Sequence, residues 1–255
     1  MLLTPFVAAA VLARRFRWQE LAALVVVIVV FAMKEPLVVL ARQRWVWKQV
    51  HPETSDAWRW VLVEGLLAAL CGLALVLTGP LWIYAVLFAG AVTFSVLAVW
   101  VNVRNHQRMT AFQVLSAFAL TSTSLTAALA ATGSVPSWCW QLWGLLAAQA
   151  TAGIFTVHAR LDARIAGRAP HAAVKTTSRR SACICCALLA VASLAALLSN
   201  NHWIAAALLL ASAGYAAELR RQTNAASLQM PLKAVGQQAL ALSVVFASLL
   251  VAGLW

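Results

Sequence analysis

Apolar stretches close to the length of a membrane-spanning helix recur along almost the whole chain, and this repetition constrains the fold more than any other feature. They lie at about 21–41, 57–78, 80–103, 110–132, 135–159, 182–199, 201–219 and 232–254, with a shorter one at 2–13. A helix needs about 20 residues to cross the hydrocarbon core. Of the 255 residues, 63% are hydrophobic and 10% are charged, whereas a soluble domain carries roughly 25% charged residues. So little polar surface cannot coat a globule in water, and the bilayer must be the solvent. The expected fold is all-α: a polytopic transmembrane bundle of eight or nine helices, forming one integral membrane domain over residues 1–255.

The net charge is +12, from 19 Lys and Arg against seven Asp and Glu. In a soluble protein this would suggest nucleic acid; here the placement of the charges argues against such a partner. Basic residues gather in four connections: 42–59 (Arg42, Arg44, Lys48, Arg59), 104–108 (Arg104, Arg108), 160–180 (six Arg and Lys) and 220–233 (Arg220, Arg221, Lys233). The alternate connections, "LTGPLW", "ATGSVPSW" and "LSNNHW", hold none. The positive-inside rule then places the four basic loops in the cytoplasm, with the chain multi-pass in the cytoplasmic membrane. Arg14, Arg15 and Arg17 break the pattern by falling on the outer side. Either a short outer loop tolerates them, or residues 2–13 do not cross. The arginines follow "LLTPFVAAAVLA" instead of preceding it, which speaks against a cleaved signal. Most of the twelve Trp residues, Trp18, Trp45, Trp58, Trp82, Trp138, Trp203 and Trp255 among them, fall near span boundaries as an interfacial belt.

Motifs of soluble enzymes are missing: there is no glycine-rich phosphate loop, serine elbow or HExxH. Cys183, Cys185 and Cys186 of "CICC" have no His or carboxylate in their segment to complete a zinc site, and they read as small packing residues. Cys71 and Cys139 stand alone. No metal and no cofactor is expected, and no catalytic residue is identified.

Polar residues within or at the ends of apolar runs are costly in lipid and therefore carry the functional signal. Glu35, followed by Pro36, lies about two turns before Arg42. Its neighbour Lys34 points about 100° away on a helix, so a partner from another helix is expected. Glu64 calls for a partner or a wet cavity in the same way. At "VNVRNHQRM", Asn102, His106, Met109 and Gln113 share a helical stripe, Asn105 lies beside it, and Arg104 and Arg108 form a second stripe. The helix dipole explains the arginines but not the amides. "FTVHARLDARIAGR" sets His158 and Asp162 four apart beside the ladder Arg160, Arg164 and Arg168. Asp162 is the only acid between 65 and 217, so His158, Arg164 or a neighbouring helix should pair with it. If these ends and that of Arg42 and Arg44 converge, they form an anion-binding pocket suited to phosphate or carboxylate. The candidate site is Glu35, Arg42, Asn102, Arg104, Asn105, His106, His158, Arg160 and Asp162. Elsewhere, the hydroxyls of "TSTSLT" (121–126) should bond back to their own helix. Gln149, Gln237 and Gln238 should bond between helices, and the basic residues of 167–182 should attract anionic lipid headgroups, at about 1 kcal/mol each.

Four blocks, "MLLTPFVAAAVLARR", "KEPLVVLARQRWVW", "VNVRNHQR" with "TAFQVLSA", and "HARLDARIA", resemble the YwiC-like family of bacterial integral membrane proteins, which has no assigned activity. The resemblance implies a His-Gly-Ala-Trp-like stretch before "LLTPF"; since Met1 stands there instead, a shortened first helix is expected. The layout also resembles the UbiA prenyltransferase superfamily, with about nine helices and large cytoplasmic connections after the second and sixth. That likeness implies Asp-rich motifs binding magnesium diphosphate, but the matching ends, "LARQRWVWK" and "HARLDARIAGR", contain Asp162 alone. The expectation is a UbiA-like scaffold without metal chemistry, binding an amphiphilic anion at the inner leaflet. A small-solute transporter using Glu35 and the hydroxyl run, or a structural membrane subunit, are the competing readings.

Overall fold

The structure, a computed structural model, describes residues 2–49, 52–106, 109–168, 177–228 and 230–255. These residues form helices and connections, with no strand among them. In lipid every backbone N–H and C=O must be paired within the protein, and a helix does this within a single segment. The elements are α1 (Leu3–Ala13), α2 (Trp18–Ala32), α3 (Lys34–Arg42), a π-helical turn (Gln43–Trp47), α4 (Thr54–Thr78), α5 (Leu81–Val103), α6 (Thr110–Thr121) and α7 (Thr123–Thr132). They continue as α8 (Ser137–Arg168), α9 (Thr177–Leu198), α10 (His202–Arg221), α11 (Ala225–Leu228) and α12 (Leu232–Leu254). Helices α2 and α3 with the π turn make one span, Trp18–Trp47, and α6 with α7 another, Thr110–Thr132; among the described residues eight segments have the length and apolarity to cross a bilayer.

Two spans are broken, each for a local reason. The break at Met33 places Pro36 in the first turn of α3, where its missing N–H leaves no helical bond unmade. At Ser122 the hydroxyls behave as expected: Thr121 bonds to the Ala117 carbonyl at 2.8 Å, Ser122 to Ala119 at 2.7 Å, Thr123 to Leu120 at 2.9 Å and Ser124 to Thr121 at 2.9 Å. Such back-bonding bends helices. It also commits the hydroxyls that a solute path would need.

Helix α1 is a half-length element of about 16 Å, with Pro5, Phe6, Ala8, Ala9 and Leu12 buried. Its start meets the middle of the Thr110–Thr132 span, where Thr123 donates to the Leu2 carbonyl at 3.1 Å. Its other end emerges beside Trp255: Arg14 donates to that residue's carbonyl at 2.7 Å and lies 4.0 Å from its ring centroid. Arg14 therefore sits on the face opposite the four basic connections, where the carbonyl and the aromatic face partly offset its charge. Eight alternating spans place those connections on one face, called here the basic face.

The core is built from small residues. Ala8, Ala9, Ala127, Ala130, Ala147, Ala207 and Ala211 are buried, while Leu66, Leu70, Leu73, Leu77, Ile184 and Leu188 point outward. This inversion suits a bilayer, in which close backbone approach drives association. One polar network crosses the core: Gln149, 3% exposed, donates to the Tyr215 hydroxyl at 2.7 Å and the Ser243 hydroxyl at 3.1 Å. Gln149 thus bonds between helices as expected. Gln237 and Gln238 do not: both are exposed near the start of α12, where headgroups and water can satisfy them.

Candidate functional site

The site begins with how α5 ends. The His106 N–H bonds to the Val101 carbonyl at 3.0 Å and the Asn105 N–H to the Asn102 carbonyl at 3.1 Å, with Asn105 at φ 56°. This is a Schellman cap, in which the residue after the helix takes the left-handed conformation that Gly and Asn tolerate best. Asn105 is therefore accounted for by backbone geometry. Asn105→Gly should leave the thermal midpoint of the purified protein unchanged or slightly higher, whereas Asn105→Val should destabilise by about 1–2 kcal/mol. A Val variant as stable as the parent would contradict the cap.

The ends of α3 and α5 do meet. Arg42 donates through Nη2 to both the backbone carbonyl and the Oδ1 of Asn102, each at 3.3 Å. Asn102 is buried, and accepting this bond from Arg42 accounts for an amide there instead of an apolar residue. Two residues on, Arg104 is exposed and stacks its guanidinium 4.9 Å from the Trp100 ring centroid. His106 is exposed, and its ring makes no hydrogen bond among the described residues. Arg108 and Gln107 of the same stretch lie outside the described residues, as does Lys175 of the 160–180 connection.

Helix α8 carries the second half. His158 shares a 2.8 Å hydrogen bond with Oε1 of Gln113, in the first turns of α6. Asn102 and Gln113 lie on either side of one connection, so the α3–α5 and α6–α8 bonds flank it. Arg160 is turned elsewhere: only 2% exposed, it pairs through Nη1 with Glu218 of α10 and donates through Nη2 to the Ser227 carbonyl. Gln222 extends this lock by donating to the Thr156 carbonyl at 3.2 Å. Arg164 donates through Nε to the Leu228 carbonyl at 2.7 Å and through Nη2 to that of Met230. Asp162, half-buried, pairs with neither His158 nor Arg164 and makes no ion pair or hydrogen bond among the described residues. The expected Asp162 partnerships fail because both neighbours already serve other helices.

Glu35 lies apart from all of these. Its side chain is 77% exposed and pairs with Lys34 at 3.7 Å, despite their separation around the helix. A long lysine stem can lean sideways to a neighbouring carboxylate, so no second helix is required. Glu64 is half-buried on the same α4 face as Ala57, Ala68 and Leu75, and its Oε2 is buried without a hydrogen-bond partner among the described residues.

Sequence reasoning missed Glu218, which sits in "AAELRR" and reads there as one acid inside a basic helix end. Nothing local indicates that its partner lies 58 residues earlier. Glu20 was missed too: it is buried and caps α2 by accepting the Arg17 N–H at 3.2 Å. Its signal was the position three residues after the N-cap, Arg17. Among the described residues, no group of three or more His, Cys, Asp or Glu could hold a metal ion.

Eight apolar spans, a small-residue core and helix ends tied by polar contacts on one face define a polytopic helical membrane protein. The family profile described as YwiC-like protein matches residues 1–129, and the chain belongs to the YwiC-like family. The match runs from α1 into α7 and takes in Arg42, Asn102 and Gln113; the block around His158 lies beyond it. No curated protein and no solved structure shows significant similarity to the chain.

Proposed function

We propose that the protein binds an amphiphilic anion, bearing phosphate or carboxylate, at the cytoplasmic leaflet beside the connection between α5 and α6. The observation that supports this is the pair of ties flanking that connection, Arg42 to Asn102 and His158 to Gln113. Between them Arg104 and His106 are exposed without a carboxylate partner among the described residues. Arg104 and Arg42 supply the charge, and stacking on Trp100 orients the Arg104 fork for a planar or tetrahedral anion. Asp162, an acceptor only, would take a hydroxyl or amine next to the anionic group. Arg160 serves as a positioning residue, because its guanidinium is committed to Glu218. Glu35 has no part in this site.

Lipid extracts of purified parent and an Arg42→Ala, Arg104→Ala variant, compared by mass spectrometry, test the reading. One anionic species should co-purify with the parent and fall by about tenfold or more in the variant, the range for losing charged hydrogen bonds. Equal retention would remove the site. A change in abundance alone would favour a structural subunit.

The cytoplasmic assignment of the basic face follows from the positive-inside rule. In a chain with its five native cysteines replaced, Ser134→Cys should react with a membrane-impermeant maleimide in cells with a permeabilised outer envelope. Ser55→Cys should react only in inverted vesicles. The reverse pattern would invert the topology.

A further inference from the structure

Helices α9 and α10 form a hairpin that is tight at one end and open at the other. The turn is closed by Asn200 in the left-handed conformation and Asn201, which bond to the Leu197 and Ala196 carbonyls at 3.0 Å each. Two hydroxyl pins follow: Ser193 to the Ala205 carbonyl at 2.7 Å and Ser212 to the Cys186 carbonyl at 2.9 Å. Beyond Cys186, towards the basic face, no side-chain hydrogen bond joins the two helices among the described residues. A cleft of about 480 Å³ opens there.

The cleft is amphiphilic along its depth. Arg179, Arg220 and Thr223 line the end nearest the basic face, and Cys183, Cys186 and Ala216 lie one to two turns deeper. Arg179 and Arg220 are exposed and meet no carboxylate among the described residues. Glu218, the nearest acid in sequence to Arg220, is held by Arg160 on another face of α10. Two guanidiniums sharing one cleft repel each other until an anion lies between them. Further along the same stripe of α9 as Cys183, Ala187, Ala190 and Leu194 are exposed, so an occupant's apolar tail would leave the cleft along them into the bilayer.

We propose that this cleft binds an anionic phospholipid, with the phosphate bracketed by Arg179 and Arg220 and an acyl chain running past Cys183 and Cys186. The volume falls within the range of small-molecule sites, about 300–1,000 Å³, and Arg forks match phosphate oxygens. The apolar inner wall favours a lipid phosphate over a soluble one. This site shares no residue with the one at Arg42 and Arg104, and each stands without the other.

The test uses the full chain in nanodiscs or mild detergent, with phosphatidylglycerol, phosphatidylcholine and inorganic phosphate as probes, followed by native mass spectrometry. The parent should retain phosphatidylglycerol over phosphatidylcholine. Arg179→Gln with Arg220→Gln should weaken it by about tenfold to a hundredfold, the loss expected for charged hydrogen bonds. Arg180→Gln with Arg221→Gln removes the same charge from outside the cleft and should retain binding. Ala216→Phe, which fills the cleft and leaves the arginines in place, should lose binding and keeps the test open if the double variant fails to fold. Phosphatidylglycerol should also slow alkylation of the exposed Cys183 thiol in the parent. Equal losses in the two arginine pairs would reduce the effect to surface potential and overturn the site. So would equal retention of both lipids, or displacement by inorganic phosphate at the lipid's own concentration.

Discussion

Arg160→Leu should destabilise the protein by about 3–5 kcal/mol, the usual consequence of stripping one partner from a buried ion pair. Glu218 would be left without its ion-pair partner against the packed ends of α8 and α10, and the Ser227 carbonyl would lose the donor that holds α11 in place. Glu218→Leu should be nearly as harmful, since Arg160 is almost completely buried. The informative comparison is the double variant, Arg160→Met with Glu218→Leu. Replacing a buried pair by apolar residues of similar volume is often neutral, so the double should recover much of the loss. Thermal midpoints and yields of the four proteins in one detergent give the coupling energy directly. A single variant within a few tenths of a kcal/mol of the parent would show that the pair does not hold α8 to α10. Single losses that simply add in the double would show the same.

The second large effect is expected at Gly253, next to the α9–α10 turn. A Cβ there would stand 2.8 Å from Ile204 Cγ1, 3.0 Å from Asn201 Oδ1 and 3.0 Å from the Ile204 backbone nitrogen. The last of these cannot yield without moving the first turn of α10. Asn201 also caps that turn, accepting the Ile204 N–H at 3.1 Å, and ties it to α12 by donating to the Gly253 carbonyl at 3.0 Å. Gly253→Ala should therefore combine overpacking, about 1–3 kcal/mol, with loss of an N-cap, about 1 kcal/mol. Gly236, on the same helix with open space around its Cβ position, is the control: Gly236→Ala should be neutral or stabilise by up to about 1 kcal/mol. If both glycines tolerate Ala equally, the close approach of α12 to α10 is not as described.

Much of the architecture was legible in the residues. Span number and order follow from windows of about 20 apolar residues, and the shared face of the four basic connections follows from charge position; both are properties of contiguous sequence. The back-bonding of the hydroxyl run was legible for the same reason, since its acceptors lie three or four residues away. Boundaries were less so. Helix α8 continues to Arg168, beyond the apolar run ending near 159, because Arg160 and Arg164 find acceptors on α10, α11 and the connection after it.

The candidate site divides along the same line. Sequence placed Arg42, Asn102 and His158 at helix ends on one face, and polarity at apolar positions marked Asn102. It could not show that Arg42 turns to Asn102, that His158 turns to Gln113, or that Arg160 turns away to Glu218. Nor could it show Glu35 facing outward beside Lys34 or Thr123 reaching the Leu2 carbonyl at the start of α1. Hydrophobicity and charge act on each segment separately and fix whether it crosses and which end faces which side. Which ends then touch depends on the rotation and tilt of each helix, set by close packing of small residues between segments far apart in the chain. The tertiary structure alone decided which polar groups are committed to one another and which are left to meet a ligand.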